Sequence, residues 1–129
     1  MTPPASAEVF STANNSYWYE GALLCIVTHK APALPFDEQK KRSEAFKSAL
    51  NGKKICAVID ITNSSITSSE SREYNQRVLP EIFKAIAFVS QNALGKMLVN
   101  LYLGMQSPPF PIKVFSNDKD AKAWIAQYL

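Results

Sequence analysis

Ile55-Cys56-Ala57-Val58-Ile59-Asp60-Ile61 is the stretch whose reading decides the architecture. It is almost continuously apolar and rich in β-branched residues, which favour extended backbone. A half-exposed strand would alternate apolar and polar residues. A strand apolar on both sides belongs at the centre of a sheet, usually parallel, with helices over both faces.

Upstream, residues 37–50 read as a helix. Phe36, Ser43, Phe46, Ala49 and Leu50 recur on one side, while Lys40, Lys41, Arg42, Glu44 and Lys47 face water. Gly52 supplies a left-handed stop. Before a break at Pro32 and Pro35, two β-forming runs, Tyr17-Trp18-Tyr19 and residues 22–28, flank Glu20-Gly21 and predict a hairpin. Residues 9–12 predict a short extra strand. Residues 1–7 are small and Pro-rich and read as a flexible tail, leaving residues 8–129 as one domain.

Downstream, residues 62–69 form a polar loop. Thr67 and Glu70 have capping-box spacing, so a helix is expected from there through Tyr74 and Val78 to Leu79, with Pro80 ending it or restarting a short turn that contains Ile82 and Phe83. Residues 85–90 predict a strand. Leu94, Leu98, Leu101 and Met105 lie on one face of a further helix. Pro108-Pro109-Phe110-Pro111 is an extended loop, residues 112–115 a last strand, and Asn117 with Asp120 a helix cap. Ala121, Trp124, Ile125 and Tyr128 form the inward stripe of a C-terminal helix. The order predicts an α/β domain: an N-terminal hairpin at an antiparallel edge, then alternating helices and strands, with a mixed, mostly parallel sheet and about four helices.

Composition narrows the function. The 129 residues are 47% hydrophobic and 19% charged, the profile of one globular domain that needs neither metal nor disulfide to fold. Fourteen basic residues face 11 acidic ones, too small an excess for a dedicated nucleic-acid binder. No apolar run approaches the ~20 residues that span a bilayer. Residues 1–7 lack the basic start and apolar centre of a signal peptide, so a cytoplasmic location is expected. Cys25 and Cys56 each sit inside an apolar run and read as buried reduced thiols. The single histidine, His29, has no His/Cys cluster around it, and the glycines form no phosphate-cradling loop. No catalytic residue, metal or cofactor is therefore expected. His29 itself reads as an exposed residue at a strand end. Ser68, His29 and Asp60 make a triad only on paper, without a nucleophile elbow to support it. Lys40-Lys41-Arg42 with Lys53-Lys54 reads as a solvated basic face, with an acidic partner or anionic surface as the other option.

The strand, loop and helix start Val58-Ile59-Asp60-Ile61…Thr67-Ser68-Ser69 resembles the STAS domain of anti-sigma-factor antagonists. In that family a serine opening the helix after such a strand is the phosphorylation site that switches partner binding. Ser68 and Ser69 stand in the comparable place, while Thr67 and Glu70 replace the acid and the glycine that flank the family's serine. Lys84-Ala85-Ile86-Ala87-Phe88-Val89, the run Val99-Asn100-Leu101-Tyr102-Leu103 and the ending Asp120-Ala121-Lys122-Ala123-Trp124-Ile125 resemble small bacterial STAS-like proteins, some of lipid-carrier character. The resemblance spans the chain from about residue 17. It implies a bacterial, non-enzymatic protein-interaction domain with an anti-sigma-factor-like or other regulatory partner. Asp60, Thr67, Ser68, Ser69 and Arg72 are the expected contact or phospho-acceptor residues. The alternative is a carrier of small hydrophobic ligands or lipids, with Leu98, Leu101, Tyr102 and Phe110 lining the pocket. The aromatic hairpin, with side chains on both faces, also favours a homodimer.

Overall fold

The computed structural model describes residues 1–64, 68–93, 97 and 109–129. Its elements are β1 (Phe10–Ser11), β2 (Asn15–Glu20), β3 (Leu23–Thr28), α1 (Phe36–Leu50), β4 (Ile55–Asp60), α2 (Ser69–Ile82), β5 (Phe83–Val89), β6 (Ile112–Phe115) and α3 (Asp118–Ile125), with a closing 3-10 turn at Ala126–Tyr128. The six strands form one sheet in the order β1-β2-β3-β4-β5-β6. The first two pairings are antiparallel and the next three parallel. The chain is thus an α/β domain with a mixed sheet and, among the described residues, three α-helices. The helix expected over 94–105 lies almost wholly outside the described residues.

The central strand sits where its composition requires. β4 runs between β3 and β5. Its side chains join two cores because alternate residues point to opposite faces. One cross-strand row, Trp18–Cys25–Val58–Ala87, belongs to the face covered by α3. The adjacent row, Leu24–Ala57–Ile86, belongs to the face covered by α1 and α2. Cys25 and Cys56 are free and buried. Burial pushes both thiols up, and Cys25, beside the Glu20 carboxylate, reaches about 12. A thiol held protonated is a poor nucleophile.

The hairpin forms around Gly21-Ala22, with Gly21 at φ +62°, a left-handed value that glycine adopts without strain. Several boundaries differ from those expected. The left-handed exit from α1 starts at Asn51 (φ 51°) and continues through Gly52 (φ 82°). Asn is the side chain that best tolerates that region. Ala49 is exposed and α1 buries no residue fully. The helix is held by partly buried Phe36, Phe46 and Leu50, the edge-on contact of Phe36 with Tyr74 (5.6 Å), and Gln39 Nε2 donating to Asn75 Oδ1 (2.9 Å).

Pro80 does not end α2, which continues to Ile82. Proline removes a single N–H from the last turns, and the Phe83 N–H still bonds the Leu79 carbonyl. β5 accordingly starts at Phe83, two residues earlier than expected. Ile55 pairs with Phe83 and Cys56 with Ala85, so exposed Lys84 is the extra residue of a bulge. The α3 cap is the expected one, with Asn117 Oδ1 accepting from the Asp120 N–H at 2.8 Å. Ala121 and Ile125 are buried, and beside them Trp124 meets Phe115 at a tilt and Tyr128 edge-on. In the segment 1–7, Met1 and Ala7 pack against this same core. No helix among the described residues is long and apolar enough to cross a membrane.

Candidate functional site at the carboxyl end of the central strand

β4 ends at Asp60 and α2 starts at Ser69, so the chain leaves β4 at the carboxyl end of the parallel strands. That is where open α/β sheets most often meet ligands and partners. Asp60 is 7% exposed. Its Oδ1 accepts the Thr62 N–H at 3.0 Å, its carbonyl accepts the Thr28 hydroxyl at 2.8 Å, and its Oδ2 lies 3.7 Å from the Met1 amino group. Thr62 Oγ1 in turn accepts the Gln91 N–H at 3.3 Å. Asp60 therefore fixes the first turn of the loop from below and does not face outward.

At the far end of the loop the two serines have separate tasks. Ser68 is the N-cap of α2. Its Oγ accepts the Ser71 N–H and donates to Ser71 Oγ, each at 3.2 Å. The cap is thus Ser68 with Ser71, one residue later than the expected Thr67–Glu70 box; Thr67 lies outside the described residues. Ser69, the first helical residue, is exposed and accepts from Arg72 Nη2 at 3.1 Å. Glu70 is the acid of the first turn. A hydroxyl here lies in the first turn, at the positive end of the helix dipole, with a guanidinium one turn on. The arrangement can hold an anion or a hydrogen-bonding partner group. Removing the cap by Ser68→Ala is expected to cost about 1 kcal/mol in denaturant unfolding, against roughly 0.5 kcal/mol or less for Ser69→Ala.

The structure does not bring the paper triad together. Ser68 is committed to Ser71, Asp60 to Thr62, and His29 to Ser16, whose Oγ lies 2.7 Å from His29 Nε2. His29 is half-buried, not exposed, because the β2–β3 pairing continues to the strand ends and draws its ring against Ser16. No group of three or more His, Cys, Asp or Glu able to hold a metal occurs among the described residues. Of the expected pocket residues, Leu98, Leu101 and Tyr102 lie outside the described residues. Phe110 packs against the α1/α2 core.

A second polar cluster was not anticipated. Glu20 Oε2 accepts from Trp18 Nε1 (2.8 Å), Lys122 Nζ (3.0 Å) and Cys25 Sγ (3.4 Å). Burial works against ionisation of this carboxyl. The hydrogen bonds from Trp18, Lys122 and Cys25, with the Lys122 charge, prevail and hold it below the usual range. Trp18 and Glu20 at i, i+2 on one strand are a local signal for a shared face. Lys122, 102 residues away, is not. The cluster ties the hairpin to α3 and lies by the hairpin turn, away from the serine corner.

An edge hairpin, a parallel run of strands with helices on both faces, and a capped hydroxyl corner at the strands' carboxyl end define an open-sheet α/β domain without a recognisable reaction centre among the described residues. The chain belongs to the family DUF7793, a domain of unknown function, whose model matches residues 17–129. The match begins within β2 and leaves β1 and the preceding arm outside it. No curated protein and no solved structure matches the chain.

Proposed function

We propose that this chain is a non-enzymatic, STAS-like protein-interaction domain that meets its partner at the corner formed by the loop after β4 and the first turn of α2, and that Ser69 is the residue through which the contact is switched. The observation that carries this is the division of labour between the serines. Ser68 is consumed by the cap, while Ser69 stands exposed with its oxygen bonded by Arg72. A phosphate on Ser69 Oγ would gain charge-assisted bonds from Arg72 and the helix-terminal N–H groups. One on Ser68 would forfeit the cap. Asp60 holds the loop from beneath, and Ser68 supports the turn that presents Ser69.

The test is quantitative co-purification from a native extract of the source cells, using wild type, Ser69→Ala and Ser69→Asp. The aspartate variant is expected to lose or exchange partners that the alanine variant retains. Recovery of the same partners in the same amounts by all three chains would sink the proposal. Ser68→Ala serves as the stability control, since its effect should track helix fraying and not partner identity.

A further inference from the structure

β3 hands over to α1 through residues 29–35, which form neither helix nor strand. Their sequence narrows the backbone to one conformation. The rings of Pro32 and Pro35 fix φ at about −65°. A residue that precedes proline, here Ala31 and Leu34, is pushed toward extended or polyproline II backbone. Pro35 stands at φ −54° and ψ 144°, close to the polyproline II values. Ala33, between the two pairs, takes no left-handed turn.

A polyproline II stretch repeats every three residues, so Pro32 and Pro35 share one edge, about 9 Å apart. Both are exposed, as is Ala33. Leu34 is half-buried and belongs to neither core cluster of the described residues. The hairpin holds the segment in place. Asn14, in the turn between β1 and β2, accepts the His29 N–H on its carbonyl at 2.8 Å and donates from Nδ2 to the Pro32 carbonyl at 3.2 Å. The segment is thus presented already extended, and little conformational freedom is left to lose on binding.

We infer that Ala31-Pro32-Ala33-Leu34-Pro35 is a docking ridge for a protein partner with an aromatic-lined groove of the kind that receives polyproline II segments, and that such a groove reads the edge formed by Pro32 and Pro35. The spacing of the prolines, Pro-x-x-Pro, is the one these grooves recognise. The chemistry selects against other uses of an exposed stretch. Joining a partner's sheet as an added strand needs backbone donors, and Pro32 and Pro35 have none. Residues 31–36 carry no charge, so a polyanion or an anionic membrane finds no counter-ion in them. The ridge contains no residue of the serine corner, so either proposal can fail without the other.

The experiment is a titration of the isotope-labelled full chain with an SH3, a WW and an EVH1 domain in turn, followed by amide NMR. At least one of them is expected to move the resonances of Lys30, Ala31, Ala33, Leu34 and Phe36, and excess oligoproline, which fills the same groove, should reverse the shifts. Pro32→Ala and Pro35→Ala should each weaken that binding about tenfold, while Ala33→Ser, on a different edge, should change it by less than about twofold. Far-UV circular dichroism checks that both proline variants keep the native fold. Competition by oligoproline needs no variant, so it tests the ridge even where a substitution disturbs the start of α1. No shift in residues 30–36 with any of the domains at millimolar concentration, binding through other residues, failure of oligoproline to compete, or wild-type binding by natively folded Pro32→Ala and Pro35→Ala would each overturn the inference.

Discussion

A chain carrying Trp18→Ala is expected to lose about 3–5 kcal/mol of stability. Trp18 is 1% exposed and lies in the core under α3 with Cys25, Val58, Ala85, Ala87, Ala121 and Ile125. Three of those neighbours are alanines, too short to move into the space an indole leaves, so the cavity persists and adds to the lost burial. The substitution also deletes the Nε1–H donor to Glu20. Trp18→Phe separates the two effects. It keeps most of the volume and forfeits only the donor, for an expected loss of about 1–2 kcal/mol. Denaturant unfolding followed by far-UV circular dichroism reads both. A loss below about 1 kcal/mol for Trp18→Ala would contradict the packing described.

Glu20→Ala should be the next most damaging change, at about 1.5–3 kcal/mol near neutral pH. Alanine leaves the buried indole N–H without its acceptor and Lys122, 29% exposed at its side chain, without its counter-charge. The effect has a pH signature. The folded-state carboxyl is held below its ordinary value, so the unfolded chain takes up the proton first as pH falls. Glu20 therefore stabilises the fold fully above the ordinary glutamate range near pH ~4.3, and that contribution disappears as pH drops through the folded-state value. Wild type and Glu20→Gln should differ most at neutral pH and converge toward the acid end. Stability curves that stay parallel from neutral to acid pH would show that the charge of Glu20 contributes nothing.

Much of this domain was legible because its signals are local. The nearly unbroken apolar run at Ile55–Ile61 implied a covered central strand, Gly21 marked the hairpin turn, and Asn117 marked the start of α3. What sequence reading missed depends on neighbours in space. Pro80 reads as a helix end, yet in the last turns it costs one hydrogen bond, and the packing of Val78 and Ile82 carries the helix past it. Ser68 could be told from Thr67 as the cap only when the start of α2 was known to the residue. His29 found its partner across the hairpin, in Ser16. Glu20 looked like a turn residue, because nothing near it in the chain points to Lys122. At the serine corner the residue types were legible but their roles were not, since hydroxyls of equal chemistry differ only in where each oxygen points.

The consecutive strand order has a consequence for how the molecule is made. Among the described residues, every strand pairs with the one synthesised just before it, so a nascent chain can extend the sheet edge by edge without waiting for distant sequence. The exception is α3. α3 and the turn after it cross back over β4 and β5, with Lys122 reaching Glu20 and the Tyr128 carbonyl reaching Cys56. Until α3 docks, the face of the sheet that carries Trp18 lacks the cover of Ala121 and Ile125. Removing residues 118–129 is therefore expected to leave a sticky, chaperone-dependent species instead of a slightly shorter native domain.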